Sequence, residues 1–135
     1  MPANVTLRLD FDAGRRLGHG KIALLEAVER HGSIAAAGRE FGMSYRRAWL
    51  LVDELNRMFS APMVAARGGG RNGGGAALTE TGSRVVALYR AAEKTILAGA
   101  AAEIDALEAL LATSAADASP ADPSPLDLSP GELPG

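Results

Sequence analysis

At 135 residues the chain has room for one folded domain with appendages. It has no cysteine and only two histidines, His19 and His31, which excludes disulfide frameworks and cysteine-based metal clusters, and neither histidine stands in a ligand-like spacing. The net charge of -2 hides a division: all 14 Lys and Arg lie in residues 1–97 beside nine Asp and Glu, whereas residues 98–135 carry seven acids and no Lys or Arg, so the first part is a basic body suited to a polyanion.

Taken in chain order, Val5, Leu7, Leu9 and Phe11 alternate with Thr6, Arg8 and Asp10, the period-two pattern of a half-buried strand. No continuous apolar stretch marks residues 1–19 for export, and no run of about 18 apolar residues occurs, so a cytoplasmic protein without a membrane partner is expected. A first helix is predicted from about Gly20 to Arg30, with Ile22, Leu24, Leu25 and Val28 supplying a packing layer. His19 reads as a loop residue before it and His31 as a helix-terminal cation.

Ser33 can cap a second helix from Ile34 to about Phe41 by accepting an orphan backbone N–H. Gly42 stops that helix, because glycine enters the left-handed conformation without a Cβ penalty. Ser44 caps a third helix whose Ala48, Val52, Leu55 and Phe59 recur at spacings of four, three and four. Two helices joined by a tight turn are a helix-turn-helix, and with the first helix they make a trihelical core. Ser44, Tyr45, Arg46, Arg47 and also Leu50 lie at the start of the third helix and off its apolar stripe, where a recognition helix addresses major-groove base edges. Arginine suits this because its planar fork bonds guanine O6 and N7 together. Two solvated charges on an amphipathic helix are the alternative for Arg46 and Arg47. Trp49, beside the stripe, is expected to be a packing anchor rather than a base contact.

Pro62 to Arg67 and Ala76 to Leu78 are short apolar runs flanking Gly68-Gly69-Gly70-Arg71-Asn72-Gly73-Gly74-Gly75, the pattern of a hairpin with a long tip. A hairpin after a helix-turn-helix makes a winged helix. Arg67, Arg71 and Asn72 then sit on or beside the wing, and with Ser33 they are the expected contacts to the phosphate backbone. The six glycines are expected to leave the tip disordered until bound. They do not form a phosphate-cradling enzyme loop, since no Gly-Lys-Ser or Gly-Lys-Thr follows them and no strand-to-helix step surrounds them. No spacing of carboxylates points to an active site, so no catalytic residue is assigned and the chain is not read as an enzyme.

Thr79 caps a long alanine-rich helix reaching toward Leu111. Val85, Tyr89, Ala92 and Ile96 form a seam, which resumes one position out of phase through Leu97, Ala100, Ile104, Leu107 and Leu111. Gly99 lies at that shift, where a bend or altered packing is expected. A helix of about 30 residues, extending about 45 Å, outreaches a domain of this size and needs a partner. Val85, Tyr89, Ala92, Ile96, Ala100, Ile104 and Leu107 are therefore the expected dimerisation residues, with the first-helix region sharing the interface of a symmetric homodimer. Residues 113–135, with five prolines between Pro120 and Pro134 and few large apolar groups, are expected to be a disordered acidic tail.

Several stretches resemble the N-terminal winged-helix domain of molybdate-responsive ModE-type transcriptional regulators: Leu17-Gly18-His19-Gly20-Lys21, Leu24-Leu25-Glu26-Ala27-Val28, Gly32-Ser33-Ile34, Gly42-Met43-Ser44-Tyr45, Ala48-Trp49, and Gly73-Gly74-Gly75-Ala76 before Leu78-Thr79. The likeness spans about residues 5–97, and more loosely the region looks like the DNA-binding half of LysR-type regulators. The resemblance implies homodimeric, sequence-specific binding to double-stranded DNA and control of transcription, often of molybdate uptake. It also implies molybdate sensing by C-terminal domains, for which no residue here can be matched. The expectation is thus a regulator without its own sensing domain or a cofactor in this chain.

The expected fold is mainly α with a small β wing: a winged helix-turn-helix over 1–80, a dimerisation helix over 81–112 and the tail over 113–135. A protein-interaction winged helix and a sequence-independent architectural DNA binder are the alternatives.

Overall fold

The computed structural model describes residues 3–67 and 75–112. The expected alternation near the N-terminus holds: Val5, Leu7 and Leu9 are half-buried while Thr6, Arg8 and Asp10 are exposed. Its regular part is short, β1 (Arg8–Asp10), and it pairs antiparallel with β2 (Arg16–Gly18), a strand not expected from the sequence. Three residues with one apolar side chain give no readable period. Asp12-Ala13-Gly14 carried the available signal, since Ala13 and Gly14 both take positive φ, 54° and 77°, and Phe11 N–H donates to the Arg15 carbonyl at 2.7 Å to close the turn. Phe11 ends up exposed.

Helix α1 (His19–His31) starts one residue earlier than expected, so His19 is helical rather than in a loop. It ends where Gly32 adopts a left-handed φ of 73° and returns its N–H to the Val28 carbonyl at 2.8 Å. Ile22, Leu24, Leu25 and Val28 are wholly buried, together with Ala27. Burial of each large aliphatic side chain is worth about 1.5–3 kcal/mol. Helices α2 (Ile34–Glu40) and α3 (Tyr45–Met58) pack on that layer through Ala37, Val52 and Leu55. The fourth position of the α3 stripe differs from expectation. The helix ends at Met58, which is buried, while Phe59 turns to extended backbone and is only half-buried.

The hairpin consists of β3 (Val64–Ala66) and β4 (Ala76–Leu78), antiparallel with Val64 opposite Leu78 and Ala66 opposite Ala76. Helix α4 (Glu80–Gly99) follows at once. Thr79 caps it as expected, its Oγ1 accepting from Gly82 N–H at 2.9 Å while donating to the Pro62 carbonyl at 2.6 Å. The expected long helix stops at Gly99, and α5 (Ala101–Ala109) begins after Ala100, so the phase shift in the seam is a break between two helices.

The arrangement is a winged helix-turn-helix followed by C-terminal helix. The chain divides into one compact unit, Val5–Ile96, and a second made of Met1–Asn4 with Leu97–Gly135. The first therefore includes most of α4. Arg71, Asn72, most of the glycine tip and the tail from residue 113 onward lie outside the described residues. Among the described residues no helix is long and apolar enough to cross a membrane.

Candidate nucleic-acid interface

Two serines set the helix-turn-helix. Ser33 Oγ accepts from Ala36 N–H at 3.0 Å and Ser44 Oγ accepts from Arg47 N–H at 3.1 Å, each satisfying one orphan donor. Between them the Gly38 carbonyl accepts from Phe41 N–H at 3.0 Å and Met43 N–H at 2.9 Å, and Gly42 takes φ +71°. The two helices meet closely: a Cβ built on Gly38 would lie 2.8 Å from Ala48 Cβ. Only glycine allows this approach, and it fixes how α3 projects from the core.

Helix α3 therefore turns a defined face outward. Tyr45 is 57% exposed and Leu50 48%, and Arg46 and Arg47 are exposed beside them. Among the described residues neither arginine has an ion-pair partner, nor does Arg39 at the end of α2. Several other cations are tied to acids. Lys21 Nζ reaches Glu54 Oε2 at 2.9 Å, Arg57 pairs with Asp53, and Arg30 and His31 both bond Glu40, at 2.6 and 2.7 Å. The His31 and Arg30 bonds hold the Glu40 carboxyl below its usual range, so this acid stays ionised and its counter-charges stay spoken for. Arg39, Arg46 and Arg47 thus place cations without an ion-pair partner at the turn and the start of α3, while Arg67, Arg84 and Lys94 are the others without one among the described residues.

Trp49 is not a packing anchor. It is 44% exposed and stands on the flank of α3 that faces the hairpin. One residue past the buried Ala48, it is rotated about 100° around the helix from that position and so leaves the apolar stripe.

The hairpin is held to the helices at three points, none of which was expected from the sequence. Asn56, in the last turn of α3, accepts from Met63 N–H at 2.8 Å and Val64 N–H at 3.0 Å through Oδ1, and its Nδ2 donates to the Val64 carbonyl at 3.3 Å. A polar residue next to the apolar stripe and a few positions before a strand was the available signal. Glu29 of α1 accepts from Leu78 N–H at 3.0 Å, and Ala76 N–H donates to the Gly32 carbonyl at 2.8 Å. Arg67, expected as a phosphate contact, leaves β3 with its guanidinium across the α1–α2 turn: Nη1 lies 3.1 Å from where a Cβ on Gly32 would be. Ser33 and Arg67 therefore flank one turn, with Ser33 Oγ already committed to its cap. A groove of about 550 Å³ separates α3 from the hairpin, lined by Ile34, Tyr45, Trp49, Val52 and Ala65 among others.

The seam of α4 divides. Tyr89 is 2% exposed, its hydroxyl donates to the Leu7 carbonyl, and Val85 packs on the same core, so these two expected dimerisation residues are used inside the domain. Burial pushes the Tyr89 hydroxyl pKa up, with the neighbouring Glu93 adding to the effect. Arg90 bonds Glu26 of α1 through Nε at 3.0 Å and Nη2 at 2.7 Å and reaches Glu93 at 2.7 Å. This guanidinium holds the Glu26 carboxyl below the usual range. Ile96 and Leu107 are exposed, as are Leu88, Leu97, Leu110 and Leu111, while Ala92, Ala100 and Ile104 are half-buried. No grouping of three or more metal-ligating side chains occurs among the described residues.

Residues 20–83 match the family described as bacterial regulatory helix-turn-helix protein, lysR family. This stretch is therefore similar to the LysR-type helix-turn-helix domain. The chain is also 46% identical over 87 residues to the molybdenum transport protein ModE of Azotobacter vinelandii, covering 64% of this chain and 32% of that protein. It is 49% identical over 80 residues to the molybdenum-pterin-binding protein MopB of Rhodobacter capsulatus, covering 59% and 30%. The DNA-binding transcriptional dual regulator ModE of Escherichia coli K12 is 34% identical over 89 residues, covering 66% and 34%. The chain thus spans about a third of the length of the curated relatives it matches. The matched stretch takes in α1 from its second residue, α2, α3, the hairpin and the first turn of α4.

Proposed function

We propose that the chain is a sequence-specific DNA-binding transcriptional regulator of the molybdate-responsive type. It acts as a homodimer, with the start of α3 in the major groove and the hairpin along the phosphate backbone. The observation that carries this reading is that, among the described residues, Arg46 and Arg47 on the outward face of α3 have no ion-pair partner, whereas Lys21, Arg30 and Arg57 of the same three helices are matched to acids. Arg39, at the end of α2, adds positive charge beside it, and Ser44 caps the first turn of the helix. The relatives' names, two of which carry molybdenum and one DNA-binding regulation, support genes of molybdenum handling as the targets.

Homodimerisation rests on the apolar side chains left exposed on α4 and α5. Leu88, Ile96, Leu97 and Leu107 are the residues we assign to it, with Ala92, Ala100 and Ile104 between them. Val85 and Tyr89 support the interface only by anchoring α4. A dimer presents two α3 helices to successive major grooves.

The test is titration of the protein into its own upstream promoter DNA and into a random duplex of equal length, at fixed salt, with and without molybdate. Preference for the promoter supports the reading, and equal affinity for both duplexes refutes sequence-specific recognition. Sedimentation of the free protein reads the oligomeric state, and a monomer at micromolar concentration refutes the dimer.

A further inference from the structure

The hairpin-facing flank of α3 holds an aromatic pair that the arginine face leaves unused. Tyr45 and Trp49 are one helical turn apart, both exposed, and both line the groove, together with Ile34, Ala35, Val52 and Ala65. A single exposed apolar side chain is ordinary, but two large aromatics lining one concave surface mark a contact site.

Two observations define the occupant. Of the polar side chains lining the groove, Asn56 is engaged by the β3 backbone and Asp53 by Arg57, which leaves the exposed aromatic rings of Tyr45 and Trp49 as the main side-chain surface it offers. The surroundings nevertheless attract a polyanion, because Arg46 lies on the adjoining outer face of α3 and Arg39 at the end of α2, both without counter-charge. The occupant is therefore an apolar group carried on a nucleic-acid strand. In the major groove of duplex DNA that group is the C5-methyl of thymine.

We propose that Tyr45 and Trp49 read thymine methyl groups beside the base pairs addressed by Arg46. Base choice along α3 then combines an arginine hydrogen-bond contact with an adjacent apolar one. The inference rests on the DNA-binding reading above, and its test separates the two.

Each thymine of the bound promoter is replaced singly by deoxyuridine, which removes the methyl group and leaves every hydrogen-bonding group in place. The wild-type protein is expected to lose about four-fold in affinity at one or two neighbouring positions, the worth of one buried methyl-sized group. Trp49→Ala is expected to bind thymine and uracil duplexes alike, and Trp49→Phe to retain part of the discrimination. Because Trp49 is the only tryptophan, its fluorescence reports the same contact, changing more with the thymine duplex than with the uracil one. Thermal melting of each variant identifies loss of fold separately, and if Trp49→Ala melts early the comparison is made with Trp49→Phe. Wild-type protein indifferent to every uracil substitution, while still preferring promoter to random DNA, overturns the methyl contact and leaves the DNA reading standing. Undiminished thymine discrimination in a folded Trp49 variant overturns the assignment to this flank. No preference for promoter over random DNA overturns both.

Discussion

Asn56 joins the recognition helix to the wing, and its removal has a calculable cost. Its Oδ1 accepts from two backbone N–H groups, Met63 at 2.8 Å and Val64 at 3.0 Å, and its Nδ2 donates to the Val64 carbonyl at 3.3 Å. Met63 and Val64 are buried, so water cannot replace both bonds in Asn56→Ala. A buried group left without a partner costs about 1–3 kcal/mol. Two stranded donors, one partly rehydrated through the space the side chain vacates, amount to about 2–4 kcal/mol by that measure. For a domain of this size each kcal/mol lowers Tm by about 4–8 °C. Asn56→Asp keeps an acceptor oxygen for both N–H groups, loses the donor and sets a carboxylate against the Val64 carbonyl, so it should recover about half of the loss. Urea denaturation followed by circular dichroism, with m unchanged, reads both variants. Because the same bonds aim the hairpin relative to α3, Asn56→Ala should also weaken DNA binding and flatten its salt dependence as wing contacts to phosphate are lost. An Asn56→Ala protein within about 0.5 kcal/mol of wild type, the range of ordinary surface substitutions, would refute the clamp.

Other outcomes follow from the same structure. Arg46→Ala should cost about 1–3 kcal/mol on the promoter and relax base preference at one position, read by titrating single-base-pair variants of the site; equal losses on promoter and random DNA would remove Arg46 from base contact. Gly82→Ala should be strongly destabilising in thermal melts, because a Cβ there would lie 2.1 Å from the Met63 carbonyl oxygen and would force the start of α4 off the β3 entry. Gly20→Ala, whose Cβ meets nothing within 4 Å, is the matched control and should be neutral or slightly stabilising. Arg90 holds the Glu26 pKa below its unfolded value of about 4.3, so the stability this pair contributes is complete above that value and fades as pH falls through the lower folded pKa. Wild-type Tm should therefore drop more steeply than that of Glu26→Gln below about pH 5, and the two curves should converge at the acid end.

Local chemistry made the helix-turn-helix legible before any coordinates. Ser33, Gly42 and Ser44 work through their own backbone neighbourhood, and the buried positions of α1 and α3 repeat at the helical period, so both the caps and the core face are written in short stretches of chain. The hairpin strands were legible for the same reason, each being a short apolar run beside turn residues. Arg46 and Arg47 could be placed on the outward face because that face is the complement of the stripe.

Where a contact joins residues far apart in the chain, periodicity carried no information. β2 exists because β1 has an edge to fill, and its three residues show no pattern of their own. Val85 and Tyr89 have the spacing of a seam whichever surface covers it; the Leu7 carbonyl and the α1 layer cover them within the domain. Met58 takes the buried place that Phe59 was expected to hold, because the chain must become extended there to reach β3. Trp49 shows the limit most directly. The sequence by itself determined that it lies on α3 just off the core stripe, since helix geometry fixes angles along one element. Only the tertiary structure decided that this angle opens onto a groove rather than onto the core, because that depends on where Asn56 and Glu29 hold a hairpin brought in from elsewhere in the chain.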